Sequence, residues 1–132
     1  MAAPYNISPK PLPVEIEKGF VKGAPELMAE VASSSESYDL HSKKADYELA
    51  GVREYLVLVL RQQRVAWFVR RDGRFVTREP DADGISRSLV FPGLWLDPIA
   101  LLRGDTARVQ EILQQGLHSA EHAQFVEQLN PK

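Results

Sequence analysis

Two apolar runs of strand length, Leu27–Ala32 and Glu54–Leu60, flank one helix-length segment, and this order limits the fold more than any other feature of the chain. Leu27-Met28-Ala29-Glu30-Val31-Ala32 has the pattern of a strand buried on both faces, and the same run also fits a short buried helix. Ser33, Ser34, Ser35, Glu36 and Ser37 form a polar loop. Asp39 then occupies an N-cap position ahead of a helix from about Leu40 to Ala50, and Gly51 supplies its stop. Beyond Leu60, Arg61-Gln62-Gln63-Arg64 reads as the turn into a strand over Val65–Val69. Asp72-Gly73 marks a second turn before Arg74–Thr77, and Asp83-Gly84 a third. A last strand covers Ser86–Phe91 and ends at Pro92-Gly93. Strand, helix, strand and meander in that order predict an α/β or α+β domain, with a mixed sheet flanked by helices.

The flanks are less regular. Residues 1–13 contain Pro4, Pro9, Pro11 and Pro13, which remove backbone donors and favour an irregular arm. Val14-Glu15-Ile16-Glu17 alternates like a short edge strand, and Gly19 and Gly23 interrupt it. Leu96–Leu102 reads as a short helix with Pro98 in its first turn. Asp105–Leu129 reads as one long helix, or two broken near Gly116. With 132 residues the chain fits one domain: an arm over 1–22, a core over 23–104 and a helical segment over 105–132.

Charge and composition exclude some functions. A net charge of -2 gives no overall attraction to nucleic acid, so contact with DNA requires a local basic patch. The absence of cysteine excludes disulfides and thiolate metal sites. No apolar run reaches the roughly 18 residues of a membrane span, and the start lacks the basic-then-apolar plan of a secretory signal. These features lead to the expectation of a cytoplasmic protein without a membrane anchor.

Three segments carry chemistry. Ala24-Pro25-Glu26-Leu27-Met28-Ala29-Glu30-Val31-Ala32-Ser33 is followed by Asp39, Lys43 and Tyr47 at four-residue steps, and then by Gly51-Val52-Arg53-Glu54-Tyr55. This ordered set resembles the core of the Uma-two family of restriction-endonuclease-like proteins, within the PD-(D/E)XK nuclease superfamily. Phe91-Pro92-Gly93-Leu94-Trp95-Leu96 resembles a later element of the same family. The resemblance implies a restriction-endonuclease-like fold and hydrolysis of DNA phosphodiesters assisted by magnesium or manganese. It assigns Glu30, with the backbone carbonyl of Val31, to the metal, because a hard cation takes oxygen ligands. It assigns Lys43 to the attacking water or the phosphate charge. On a helix Lys43 lies about 40° from Tyr47 and about 60° from Leu40, so it shares the apolar stripe.

The bland reading of each residue stays open beside this one. Glu30 also fits an edge-strand carboxylate pointing at water, and Lys43 a side chain snorkelling past Tyr47. Asp39 fits an N-cap, Ser33 a turn, and Tyr47 a core position. The sequence also departs from the family pattern. Family members carry a further aspartate on an earlier, PDV-like strand, and the sequence is expected to begin after that point. Glu26 stands where the family has its second such aspartate, about 13 Å along a strand from Glu30, too far to share one ion with it. Glu15 or Glu17 would have to fold back to replace the missing ligand. Ser34-Ser35 replaces Pro-Ser, and Leu56 replaces a tryptophan. The alternative function is a non-enzymatic interaction or DNA-binding module on the nuclease scaffold.

Arg61, Arg64, Arg70, Arg71, Arg74 and Arg78 gather cations in the meander, and the arginine fork suits phosphate. Arg70, Arg71 and Arg74 are the expected DNA contacts, against the alternative of a solvated hairpin with charged edges. Unpaired sheet edges favour a dimer or other homo-oligomer.

Overall fold

A computed structural model describes residues 15–17, 20–32 and 36–130. The chain divides into two compact units, residues 1–78 and 79–132.

The first unit holds β1 (Glu15–Glu17), β2 (Phe20–Lys22), β3 (Leu27–Ala32), α1 (Glu36–Ala50), β4 (Glu54–Val59), β5 (Arg64–Arg71) and β6 (Arg74–Thr77). β1 and β2 form an antiparallel pair, and the remaining strands make one sheet in the order β3-β4-β5-β6. β3 and β4 run parallel, with Glu30 opposite Val57, because α1 carries the chain back across the sheet between them. β4, β5 and β6 are joined by tight turns and are antiparallel. At the second turn Asp72 and Gly73 both adopt positive φ, 52° and 80°, as a two-residue hairpin demands. The result is the mixed α/β sheet expected from the sequence, consistent with a restriction-endonuclease-like fold.

Period-two alternation builds the core. Tyr55, Val57 and Val59 of β4 share one face with Ala66 and Phe68 of β5 and Phe75 of β6, and all are buried with Val52. Ala24, Met28, Ala32 and Tyr47 of α1 pack against this cluster. Each large apolar side chain removed from water contributes about 1.5–3 kcal/mol. Gly51 closes α1 at φ 97°, with its N–H and that of Val52 bonded to the carbonyl of Tyr47. Glu48, one turn earlier, accepts a hydrogen bond from the Phe75 N–H at 2.6 Å and so caps a donor on edge strand β6.

Several expectations need correction. β3 is an edge strand of this sheet among the described residues, and its faces differ: Ala29 is exposed and Val31 is 64% exposed, whereas Met28, Glu30 and Ala32 are half-buried. An apolar run alone does not distinguish a strand covered twice from one covered once. The α1 helix starts at Glu36, so Asp39 lies inside it and is not its N-cap. The expected strand over Ser86–Phe91 shrinks to Ser86–Arg87. After it the Ser88 hydroxyl accepts from the Phe91 N–H, and Gly93 reverses the chain at φ 101°. The expectations for residues 1–14 and for Ser33, Ser34 and Ser35 lie outside the described residues.

The second unit holds β7 (Ser86–Arg87) paired antiparallel with β8 (Trp95–Leu96), then α2 (Pro98–Arg103), α3 (Thr106–Leu117) and α4 (Ala120–Leu129). The C-terminal segment is therefore two helices, divided at His118 and Ser119. Asp97, Asp105 and Ser119 cap the three helices through their side chains. Gly116 sits where a Cβ would lie 2.2 Å from the Gly93 carbonyl oxygen, so only glycine permits this approach of α3 to the β7–β8 loop. No helix among the described residues is long and apolar enough to cross a membrane.

Candidate active site

Glu30 is the fourth residue of β3, and strand parity turns its side chain towards α1, on the face that carries Met28 and Ala32. There it meets three donors. The Tyr47 hydroxyl donates to Oε1, the Tyr55 hydroxyl donates to Oε2 at 3.1 Å, and the Lys43 Nζ stands 3.4 Å from Oε2. Lys43 and Tyr47 lie one turn apart on α1, so the helical spacing delivers both to one carboxylate. Tyr55 arrives from β4, where it pairs with Met28 and is therefore a diagonal neighbour of Glu30 on the same face. The carboxylate therefore does not point at water: its side chain is only 19% exposed, against 50% for Lys43.

The electrostatics follow from this geometry. Burial works to raise the Glu30 pKa, but the hydrogen bonds from Tyr47 and Tyr55 and the positive charge of Lys43 together outweigh it, and the net shift is downward. Glu30 is thus held as an anion. The hydroxyls show the reciprocal effect. Tyr47 is pushed up to about 12, first by its hydrogen bond to Glu30 and then by burial. Tyr55 is raised by burial foremost and by the Glu30 charge. Both phenols remain protonated donors across the physiological range.

Tyr55 is fully buried, and its ring stacks 5.9 Å from Phe68 and lies 6.0 Å from Phe75, with Tyr47 edge-on at 5.1 Å. These contacts fix the ring that carries the hydroxyl. Lys44, next to Lys43, turns inward instead and places its Nζ 4.3 Å from the Phe68 ring centroid. Sequence reasoning gave Tyr55 no role of its own and assigned Tyr47 to the core. Parallel register was the missing signal, since it alone puts Tyr55 within reach of Glu30.

The oxygen donors fit magnesium or manganese in kind. Glu30 is anionic, and the Val31 carbonyl faces away from the sheet. The carbonyls of Glu26 and Ala32 accept from Glu54 on β4 and from Leu60 just beyond it, and successive carbonyls alternate, so that of Val31 points to the edge of β3 that no described strand pairs. Magnesium commonly keeps several waters and takes one or two carboxylates together with substrate phosphates. In number the set stands at the weak end of that range: among the described residues no three His, Asp or Glu side chains gather around one point. Glu26 is half-buried, receives the Arg53 and Glu54 N–H groups on its carbonyl, and acts electrostatically on Arg53. Glu15 and Glu17 lie in β1.

The arginines divide. Arg70 lies on the α1 face of β5, its guanidinium 3.1 Å from the place where a Gly51 Cβ would stand, at the C-terminal end of α1. A cation there opposes the negative end of the helix dipole. Arg71 and Arg74 are exposed and pair with each other across the β5–β6 hairpin, on the opposite face. The three expected contacts therefore do not form one surface.

No curated protein matches the chain significantly. A family model does: the family described as putative restriction endonuclease, Uma-two, matches residues 6–100, which include β3, α1, the Glu30 cluster, the meander and the β7–β8 pair. That match spans well over half of the 132 residues, and the chain is accordingly a member of the Uma-two family.

Proposed function

We propose that the chain is a nuclease-like protein acting on DNA, with Glu30 and Lys43 as its reaction pair and magnesium or manganese as its cofactor. The observation that carries this reading is the 3.4 Å approach of the Lys43 ammonium to a Glu30 carboxylate that two phenols hold ionised. Family membership supports the nuclease class.

A bound divalent cation would polarise the phosphate and lower the pKa of an attacking water. Glu30 and the Val31 carbonyl would hold it. The half-exposed Lys43 can release its contact with Glu30 and offer the same charge to a non-bridging phosphate oxygen, where negative charge grows during phosphodiester cleavage. Tyr47 and Tyr55 keep Glu30 in place while this happens. Supercoiled plasmid incubated with manganese tests the reading. Wild-type protein is expected to nick the DNA and Glu30→Gln to lose that activity. Equal activity in the two, or none in either, removes it.

A second reading is a DNA-binding or interaction module that retains the scaffold. It is favoured by Glu30 standing without two further acidic or histidine ligands among the described residues. Calorimetric titration with magnesium separates the readings: a module without the site gives no specific heat of binding.

A further inference from the structure

We propose that Tyr47 and Tyr55 act as a clamp that fixes the orientation of the Glu30 carboxylate, with Tyr55 as the fixed jaw and Tyr47 as the jaw tied to Lys43. The two hydroxyls approach different oxygens of the same carboxylate, one from a helix and one from the neighbouring strand. A carboxylate held at both oxygens loses its freedom to turn about the terminal bond. Such torsions are otherwise broad and weakly restrained.

The two jaws differ in rigidity. Tyr55 is wholly buried and packed against Tyr47, Phe68 and Phe75, so its hydroxyl has one place to be. Tyr47 is half-buried on α1, one turn after Lys43, so any shift of that helix moves the phenol and the ammonium together. The role as positioning residues rests on the metal-binding reading of Glu30 given above. Partners that orient a metal ligand typically govern affinity by 10–100-fold when removed.

The test has a metal-free arm and a metal arm, both on the full chain. Without metal, thermal unfolding of wild type, Tyr55→Phe, Glu30→Gln and the double variant forms a double-mutant cycle, and Tyr47→Phe replaces Tyr55→Phe in a second. Each cycle is expected to show a coupling well outside error. Additive shifts in Tm would show that the hydroxyls do not act on Glu30 and would overturn the clamp. In the second arm, Mn2+ affinity is measured by calorimetry for wild type, Tyr47→Phe and Tyr55→Phe, variants that keep the rings and remove only the hydroxyls. Affinity is expected to fall about 10-fold or more in each. Unchanged affinity in a folded variant overturns the positioning role, because a merely structural tyrosine would lower Tm alone. A wild-type protein that shows coupling but takes up no Mn2+ supports the clamp and rejects the nuclease reading.

Discussion

Lys43→Ala is expected to separate stability from activity. The ion pair with Glu30 spans 3.4 Å, but half of the lysine side chain is exposed to water. At that distance Coulomb's law gives about 1 kcal/mol in water and about 5 kcal/mol at an effective dielectric of 20. Solvent screening and the entropy of the long side chain bring exposed pairs down to about 0.2–1 kcal/mol. Glu30 keeps both phenol donors after the substitution, so no buried charge is orphaned. The expected loss of stability is therefore about 1 kcal/mol or less, a shift in Tm of roughly 4 °C or less for a domain of this size. Catalysis is different. Removing one preorganised donor from a developing oxyanion typically costs about 100- to 1000-fold in rate. Thermal unfolding and manganese-dependent plasmid nicking, measured on one preparation, give both numbers. A drop of 10 °C or more, or nicking within about threefold of wild type, would refute the argument that Lys43 serves the substrate more than the fold.

Four further variants test the packing and the charges. Gly116→Ala places a Cβ 2.2 Å from the Gly93 carbonyl oxygen and 2.7 Å from Trp95 Cγ; overpacking of this kind costs about 1–3 kcal/mol, and a Tm within 1 °C of wild type would contradict the close approach. Asp97 is held below its usual carboxylate range by the Ala100 N–H first and by Arg108 as well, so its stabilisation is full above the ordinary value and is lost as pH falls through the lowered one. Asp97→Asn, which keeps the cap oxygen, should therefore flatten the acid limb of a Tm-versus-pH curve below about pH 4, and an equally steep limb would reject the assignment. Arg70→Met should lower Tm through the C-terminal end of α1, whereas Arg71→Ala with Arg74→Ala should leave Tm nearly unchanged and, if the hairpin touches DNA, reduce the salt slope of binding by about one per contact; an unchanged Tm for Arg70→Met is the result that counts against its helix-terminal role.

The order of elements was legible because most turns are chemically marked, the exception being β4–β5, where Gln63 takes positive φ without a marking glycine. Gly51, Asp72-Gly73 and Asp83-Gly84 stand where the chain turns, and Gly51, Asp72, Gly73 and Gly84 all adopt positive φ. Apolar runs between such marks have few alternatives. Boundaries and burial were less accessible. The start of α1 moved four residues because Asp39 is a good cap by type, and so are the serines of the Ser33–Ser37 segment before it, so residue type alone does not choose among them. The exposed side of β3 was hidden for another reason: Ala29 and Val31 are as apolar as residues that do lie in a core, and exposure is a property of what covers them.

The site divides along the same line. Lys43 and Tyr47 are four residues apart, and helical geometry alone places them on neighbouring positions of one face. Glu30 and Tyr55 are 25 residues apart, and only the parallel pairing of Met28 with Tyr55 makes them neighbours. A one-residue slip of β3 against β4 would send Glu30 to the face that carries Val31 and Leu56, away from both phenols and from α1. The same register that buries Tyr55, Val57 and Val59 therefore also assembles the carboxylate, ammonium and phenols, so the fold cannot reach its core without forming the cluster. The cluster is in that sense a product of the packing.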